Sequence, residues 1–119
     1  MRQEIYKEGG GVKERRRFKR LNVKLPVTLR YQGRLIPATA LNISCGGICL
    51  FVKESKVTSS HNKKVEVVMD LSQKERDVSI RGEVIRMETG NQSKISIKFT
   101  NLYTVGHQTL ENYINRNLN

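Results

Sequence analysis

Beyond residue 25 the chain alternates apolar and polar positions with period two, the pattern of half-buried strands. Val27, Leu29 and Tyr31 share one face of a first strand, and Gln32-Gly33 marks the turn that follows. Leu35 to Ile43 forms a second strand, with Ala38 and Ala40 on a small-residue face. Gly46-Gly47 interrupts, and Ile48, Leu50 and Val52 form a third. Residues 53–64 are polar, rich in Ser and Lys, and read as a surface loop. Val65, Val67, Met69 and Leu71 define a fourth strand, and Ser72 to Arg76 a turn. Val78, Ile80, Gly82 and Val84 define a fifth, where Gly82 predicts a bulge or tight bend. Thr89-Gly90-Asn91-Gln92 reads as a hairpin tip, and Ile95, Ile97 and Phe99 complete a sixth strand.

The period then changes. Leu110, Tyr113, Ile114 and Leu118 fall on one face of a helix, with Thr104 as its N-cap. Six short antiparallel strands and one C-terminal helix predict a mainly all-β domain. A closed or nearly closed barrel is the arrangement that leaves no strand edge exposed. Composition supports this. The chain has two alanines against 11 Val, 9 Ile and 7 Thr, a profile that disfavours a helical bundle. A length of 119 residues suits one domain.

Charge adds a second layer. The chain carries 22 basic and 11 acidic residues, for a net +11. Residues 1–34 hold eleven basic and three acidic groups, and residues 35–119 hold eleven and eight, so the excess is +8 against +3. Lys13-Glu14-Arg15-Arg16-Arg17-Phe18-Lys19-Arg20 places six cations in eight positions. Such an arm points to a polyanionic partner: nucleic acid, nucleotide or an anionic surface. Upstream, Gly9-Gly10-Gly11 is a flexible joint, either a linker or a cloning remnant, so residues 1–13 read as a flexible lead.

Other classes are excluded. The longest apolar run, Ile48 to Val52, is far short of the roughly 20 residues a membrane-spanning helix needs. Met1-Arg2-Gln3-Glu4 opens no signal peptide. The expected setting is therefore soluble and cytoplasmic, without membrane insertion. Two cysteines make no disulfide framework. Cys45 and Cys49, four apart on a strand, are roughly 13 Å apart, too far to bond. His61 and His107 have no metal or triad partner at a suitable spacing and read as solvated. No phosphate-loop or dinucleotide fingerprint is present. The chain is expected to be no enzyme and to need no metal or cofactor.

Asn42-Ile43-Ser44-Cys45-Gly46-Gly47 is the remaining candidate. Asn42 and Ser44, two apart on a strand, point the same way, and the glycines permit positive φ and close approach to the backbone. An ordinary strand–turn–strand connection would use the same residues.

Taken together, the arginine arm and the Asn-x-Ser-x-x-Gly that follows it some 22 residues later resemble the PilZ domain, a family of receptors for the bacterial second messenger cyclic di-GMP. The family signature RxxxR matches Arg16-Arg17-Phe18-Lys19-Arg20, and [D/N]xSxxG matches Asn42, Ser44 and Gly47. The context "ERRRFKRLNVKLPV", Arg81-Gly82-Glu83-Val84 and "ISIKFTNL" extend the resemblance over about residues 14–118. It implies a six-stranded antiparallel barrel with a C-terminal helix: arm 14–24, barrel 25–100, helix 104–118, the PilZ-like domain ending at residue 119.

The same resemblance implies cyclic di-GMP as the ligand. Arg16 and Arg20 would grip phosphate and a guanine edge and stack on the purine. Asn42 and Ser44 would bind the other guanine edge, and Gly47 would admit the backbone. Arg15, directly before the motif, would go with two intercalated ligands per domain. Binding would order the arm onto the barrel and change a partner-facing surface or an interdomain angle. The partner is an unknown downstream protein or fused domain; members of the family serve motility, exopolysaccharide synthesis and attachment, the traits of biofilm. The rival readings are a small basic barrel for single-stranded nucleic acid, which the scarcity of aromatics (6%) and the lack of Trp disfavour, and a ligand-free protein–protein module.

Overall fold

A computed structural model describes residues 19–53, 63–88 and 93–118. It contains six strands and a helix: β1 (Leu21–Tyr31), β2 (Arg34–Ser44), β3 (Gly47–Val52), β4 (Lys64–Met69), β5 (Val78–Glu88), β6 (Ser93–Phe99) and α1 (Val105–Asn117). All neighbouring strands are antiparallel, and the order β1-β2-β3-β6-β5-β4 closes as β4 pairs with β1. The predicted barrel is therefore closed.

Each strand turns its apolar set inward. Val27, Leu29 and Tyr31 of β1 meet Ile36, Ala40 and Ile43 of β2, Ile48, Leu50 and Val52 of β3, and the matching residues of β4 to β6 in one core cluster. Fully burying a side chain of this size contributes about 1.5–3 kcal/mol, so this single cluster is the main source of stability. Among the described residues, closure leaves no edge strand to recruit another chain. The β1–β2 connection is a two-residue loop, Gln32 and Gly33, both at positive φ (50° and 76°), as the twist of a tight hairpin demands.

Three details differ from the sequence reading. β1 begins at Leu21, so residues 21–24, assigned to the arm, are strand. β4 ends at Met69, and Leu71 is buried from a turn closed by its own N–H on the Glu75 carbonyl (2.8 Å). Gly82 is no bulge. It pairs in regular register with Phe99, and a Cβ there would come within 2.6 Å of Ile97 and of the Lys98 carbonyl. Glycine is needed because β5 and β6 approach closely. The bulge of β5 lies between Val84 and Arg86.

In α1 the Thr104 hydroxyl caps the first turn by accepting from the His107 N–H (3.1 Å). Leu110 and Ile114 enter the barrel's core cluster, and Tyr113 packs against it. Leu118, placed by periodicity on the apolar face, is the C-cap and is exposed. Among the described residues no helix is long and apolar enough to cross a membrane.

Candidate functional site

Closure of the sheet brings distant residues to one outer face. Reading across the strands, Asn22 pairs with Asn42, Asn42 with Cys49, Cys49 with Ser96 and Ser96 with Arg86. A second row joins Ser44, Gly47, Lys98 and Glu83. Above these rows lies a cleft of about 430 Å³, lined by Arg20, Asn42, Ser44, Gly47, Arg86 and Lys94 among others. This volume falls in the range of small-molecule sites.

Two bulges aim this face. In β2, Leu41 is an extra residue against β3, because Ala40 pairs with Leu50 and Asn42 with Cys49. In β5, Ile85 is extra against β6, because Val84 pairs with Ile97 and Arg86 with Ser96. Each extra residue resets the alternation, so that Ala40 and Ile43, like Val84 and Met87, face inward although three apart. Asn42 and Arg86 are thereby turned outward, the use bulges commonly serve beside sites.

Arg20, Asn42, Ser44 and Gly47, all predicted from the sequence, line this one cleft. Arg15 and Arg16 lie outside the described residues. Within the turn, Ser44 is buried and its Oγ accepts from both the Gly46 and Gly47 N–H groups (3.1 Å each). Its hydroxyl therefore shapes the turn. Gly47 is required by packing, since a Cβ would collide with the Ile97 carbonyl oxygen. Neither it nor Gly46 uses positive φ, the freedom expected of them.

The sequence did not single out Arg86, Lys94, Ser96 or Lys98. Alternation with Ile95, Ile97 and Phe99 places the last three outward, but their place beside Asn42 follows only from β3 pairing with β6. His107 is the clearest correction. Expected to be solvated, it is buried, edge-on to Phe99, with Nε2 2.6 Å from the Cys45 carbonyl oxygen. Burial, reinforced by Glu111, pushes the Cys45 thiol above its usual value and so disfavours the thiolate. Both cysteines are free.

A second concavity, about 520 Å³, lies towards the β1–β2 turn and is lined by Arg30, Arg34, Lys64, Glu66 and Arg81 among others. Glu66 accepts from Arg30 Nη1 (2.9 Å) and from the Ser79 hydroxyl. These contacts, the Ser79 hydrogen bond foremost, hold its carboxyl below the usual glutamate range.

The fold and the placement of the motif define a small closed barrel carrying a basic cleft beside its β2–β3 turn. The PilZ domain model matches residues 14–116, and the chain belongs to that family. No curated protein aligns significantly with it. Among solved structures, it is similar to the Bacillus subtilis inhibitor of motility MotI/DgrA (TM-score 0.71, 20% identity, covering 87% of this chain and 50% of that one). It is similar also to the PilZ domain of Escherichia coli YcgR, in a structure with cyclic di-GMP (0.70, 15%, 87% and 92%). A third is K. pneumonia MrkH in its apo state (0.69, 16%, 91% and 52%). The chain thus spans about half the length of the Bacillus and Klebsiella chains.

Proposed function

We propose that this domain is a receptor for cyclic di-GMP, held in the cleft beside the β2–β3 turn. The observation that carries the reading is convergence: Arg20, just before β1, and Asn42, Ser44 and Gly47, from β2 and β3, line one cleft. A guanidinium fork suits both parts of this ligand, because it binds phosphate oxygens and the guanine O6/N7 edge bidentately and stacks on purines. Arg20 and, from the arm, Arg16 take those roles. Asn42 offers an amide to the other guanine edge, while Ser44 contributes by folding the turn. Arg15 favours a pair of intercalated ligands.

The arm's cations repel one another, and a dianionic ligand offsets that repulsion and draws the arm to the barrel rim. The changed surface is then offered to a partner protein or fused domain. Motility control is the favoured output, since one similar structure is an inhibitor of motility. Such a receptor acts in the bacterial cytoplasm and needs no catalytic group.

Calorimetry on Arg16→Ala and Arg20→Ala tests this. Each is expected to lose roughly tenfold or more in affinity, the value of one bidentate contact, with an unchanged melting temperature. Wild-type affinity in both would overturn the assignment. A salt series separates the nucleic-acid rival, whose affinity for an oligonucleotide would fall steeply with salt through counterion release.

A further inference from the structure

The Ser44–Gly47 turn is held from three directions, and one is the helix. Ser44 Oγ accepts from the Gly46 and Gly47 N–H groups (3.1 Å each). The Phe99 N–H donates to the Gly46 carbonyl (2.9 Å). His107 Nε2 donates to the Cys45 carbonyl (2.6 Å). A carbonyl oxygen only accepts, so Nε2 carries the proton and the tautomer is fixed.

His107 is itself tightly placed. It is 7% exposed. Its backbone N–H is held by Thr104 Oγ1, and its ring meets Phe99 at 80° with centroids 6.4 Å apart. The preceding Gly106 lies so close to the Ser79 backbone that a Cβ would collide with it. The first turn of α1 is thus pressed on β5 while its histidine reaches the β2–β3 turn.

Two consecutive glycines give this turn unusual backbone freedom, and each external tie removes some of it before a ligand arrives. The Cys45–Gly46 peptide plane is the point of action. One end presents the carbonyl that His107 holds, and the other presents the N–H that Ser44 holds. Rotating this plane breaks both bonds and unsettles the wall of the cleft next to Asn42.

We infer that His107 is a positioning residue of the ligand site: by fixing the Cys45–Gly46 peptide plane it makes the docking of α1 and the binding of cyclic di-GMP one coupled equilibrium. The inference rests on the proposed reading of the cleft. His107 does not line the cleft; it acts through the turn. Coupling is reciprocal, so ligand tightens the hold on α1, and a partner that draws α1 away weakens the ligand.

Three variants test this: His107→Ala, His107→Gln, which keeps a donor, and Ile114→Val, which removes one core methylene but leaves α1 docked and the turn untouched. His107→Ala is expected to lose roughly five- to twentyfold in affinity for cyclic di-GMP, within the usual span of coupling between sites. His107→Gln should recover most of that loss, and Ile114→Val should lower the melting temperature alone. In ligand-free protein, the Gly46 and Gly47 amides should exchange faster in His107→Ala and stay as in wild type in Ile114→Val. Equal affinity and equal exchange in His107→Ala and Ile114→Val would reduce His107 to a core residue and overturn the inference. Should wild type bind no cyclic di-GMP while His107→Ala still speeds exchange, the positioning role stands and the ligand assignment falls. If His107→Ala does not fold, wild type decides: the His107 Nε2–H resonance must shift on saturation with cyclic di-GMP, and a static resonance overturns the coupling.

Discussion

Two basic concavities on one barrel carry the same charge and differ in what that charge is free to do. The cleft beside the β2–β3 turn is lined by Arg20, Arg86, Lys94 and Lys98 with one carboxylate, Glu88. The concavity near the β1–β2 turn is lined by Arg30, Arg34, Lys64 and Arg81, also with one, Glu66. Each has four cations and one anion. Glu88 is half-exposed and paired at 3.3 Å with an exposed Arg86, a contact that water and salt screen readily. Glu66 lies across the sheet from both Arg30 and Arg81 and is held by Arg30 and Ser79. The second concavity already contains its anion. A count of charges does not separate the two; the position of the carboxylate does.

The glycine of each region gives the largest expected contrast. Gly47→Ala forces a Cβ onto the Ile97 carbonyl oxygen and so parts β3 from β6. It should cost about 3 kcal/mol, the upper end of overpacking. Gly33→Ala meets open space and only the strain of φ +76°, about 1 kcal/mol. Chemical denaturation of the two variants ranks them, and an equal loss would mean that β3 and β6 separate more easily than their spacing indicates.

Next in size is Ser96→Glu, which gives the first cleft a carboxylate in the row between Cys49 and Arg86. At 4–5 Å from a ligand phosphate the repulsion is about 1–4 kcal/mol between bulk-water and near-surface dielectric limits, so affinity for cyclic di-GMP should drop roughly five- to thousandfold. Titration calorimetry reads this, and unaltered binding would place the ligand elsewhere.

Smallest is Glu66→Gln. Its carboxyl titrates below the usual 4.5, so its stabilising contribution is fully present above that value and is lost as pH falls through the lower folded value. The melting temperature of wild type should exceed that of the variant at pH 7, by an amount corresponding to less than about 1 kcal/mol. The gap should close on acidification below pH 4.5. A gap constant from pH 7 to 3 would show that Glu66 does not supply it. The same variant should bind inorganic pyrophosphate more tightly than wild type, since the carboxylate that pairs with Arg30 and lies across from Arg81 is gone.

Much of this molecule is legible from spacing. Ile95, Ile97 and Phe99 announce β6, and Leu110 and Ile114 announce the buried face of α1, because burial on one side enforces a period. Asn42, Ser44 and Gly47 share a motif, and the structure places them with Arg20 in one cleft. Arg86 and Ser96 were not legible as site residues, because outward alternation alone does not say which strands become neighbours. His107 was misread because its partner is a main-chain carbonyl 62 residues away, and no side-chain pattern marks such a bond. The bulges left a trace that was open to reading: Ala40 to Ile43 and Val84 to Met87 are apolar steps of three in runs of two.

Those steps of three have an evolutionary consequence. The outward aim of Asn42 and Arg86 is stored in their ladder partners, Cys49 and Ser96, and the identity of Leu41 or Ile85, each the extra residue on that ladder, matters little to it. Substitutions can drift through both positions and leave the cleft facing solvent. Loss of either codon would set Ala40 beside Asn42, or Val84 beside Arg86, already matched to consecutive partners on that ladder, so the same residues would stay outward and only the local bend would go. The lineage of such a domain should therefore be tolerant in spelling and in length at Leu41 and Ile85, and strict in length at the paired residues on either side, where a slip of one residue inverts the faces.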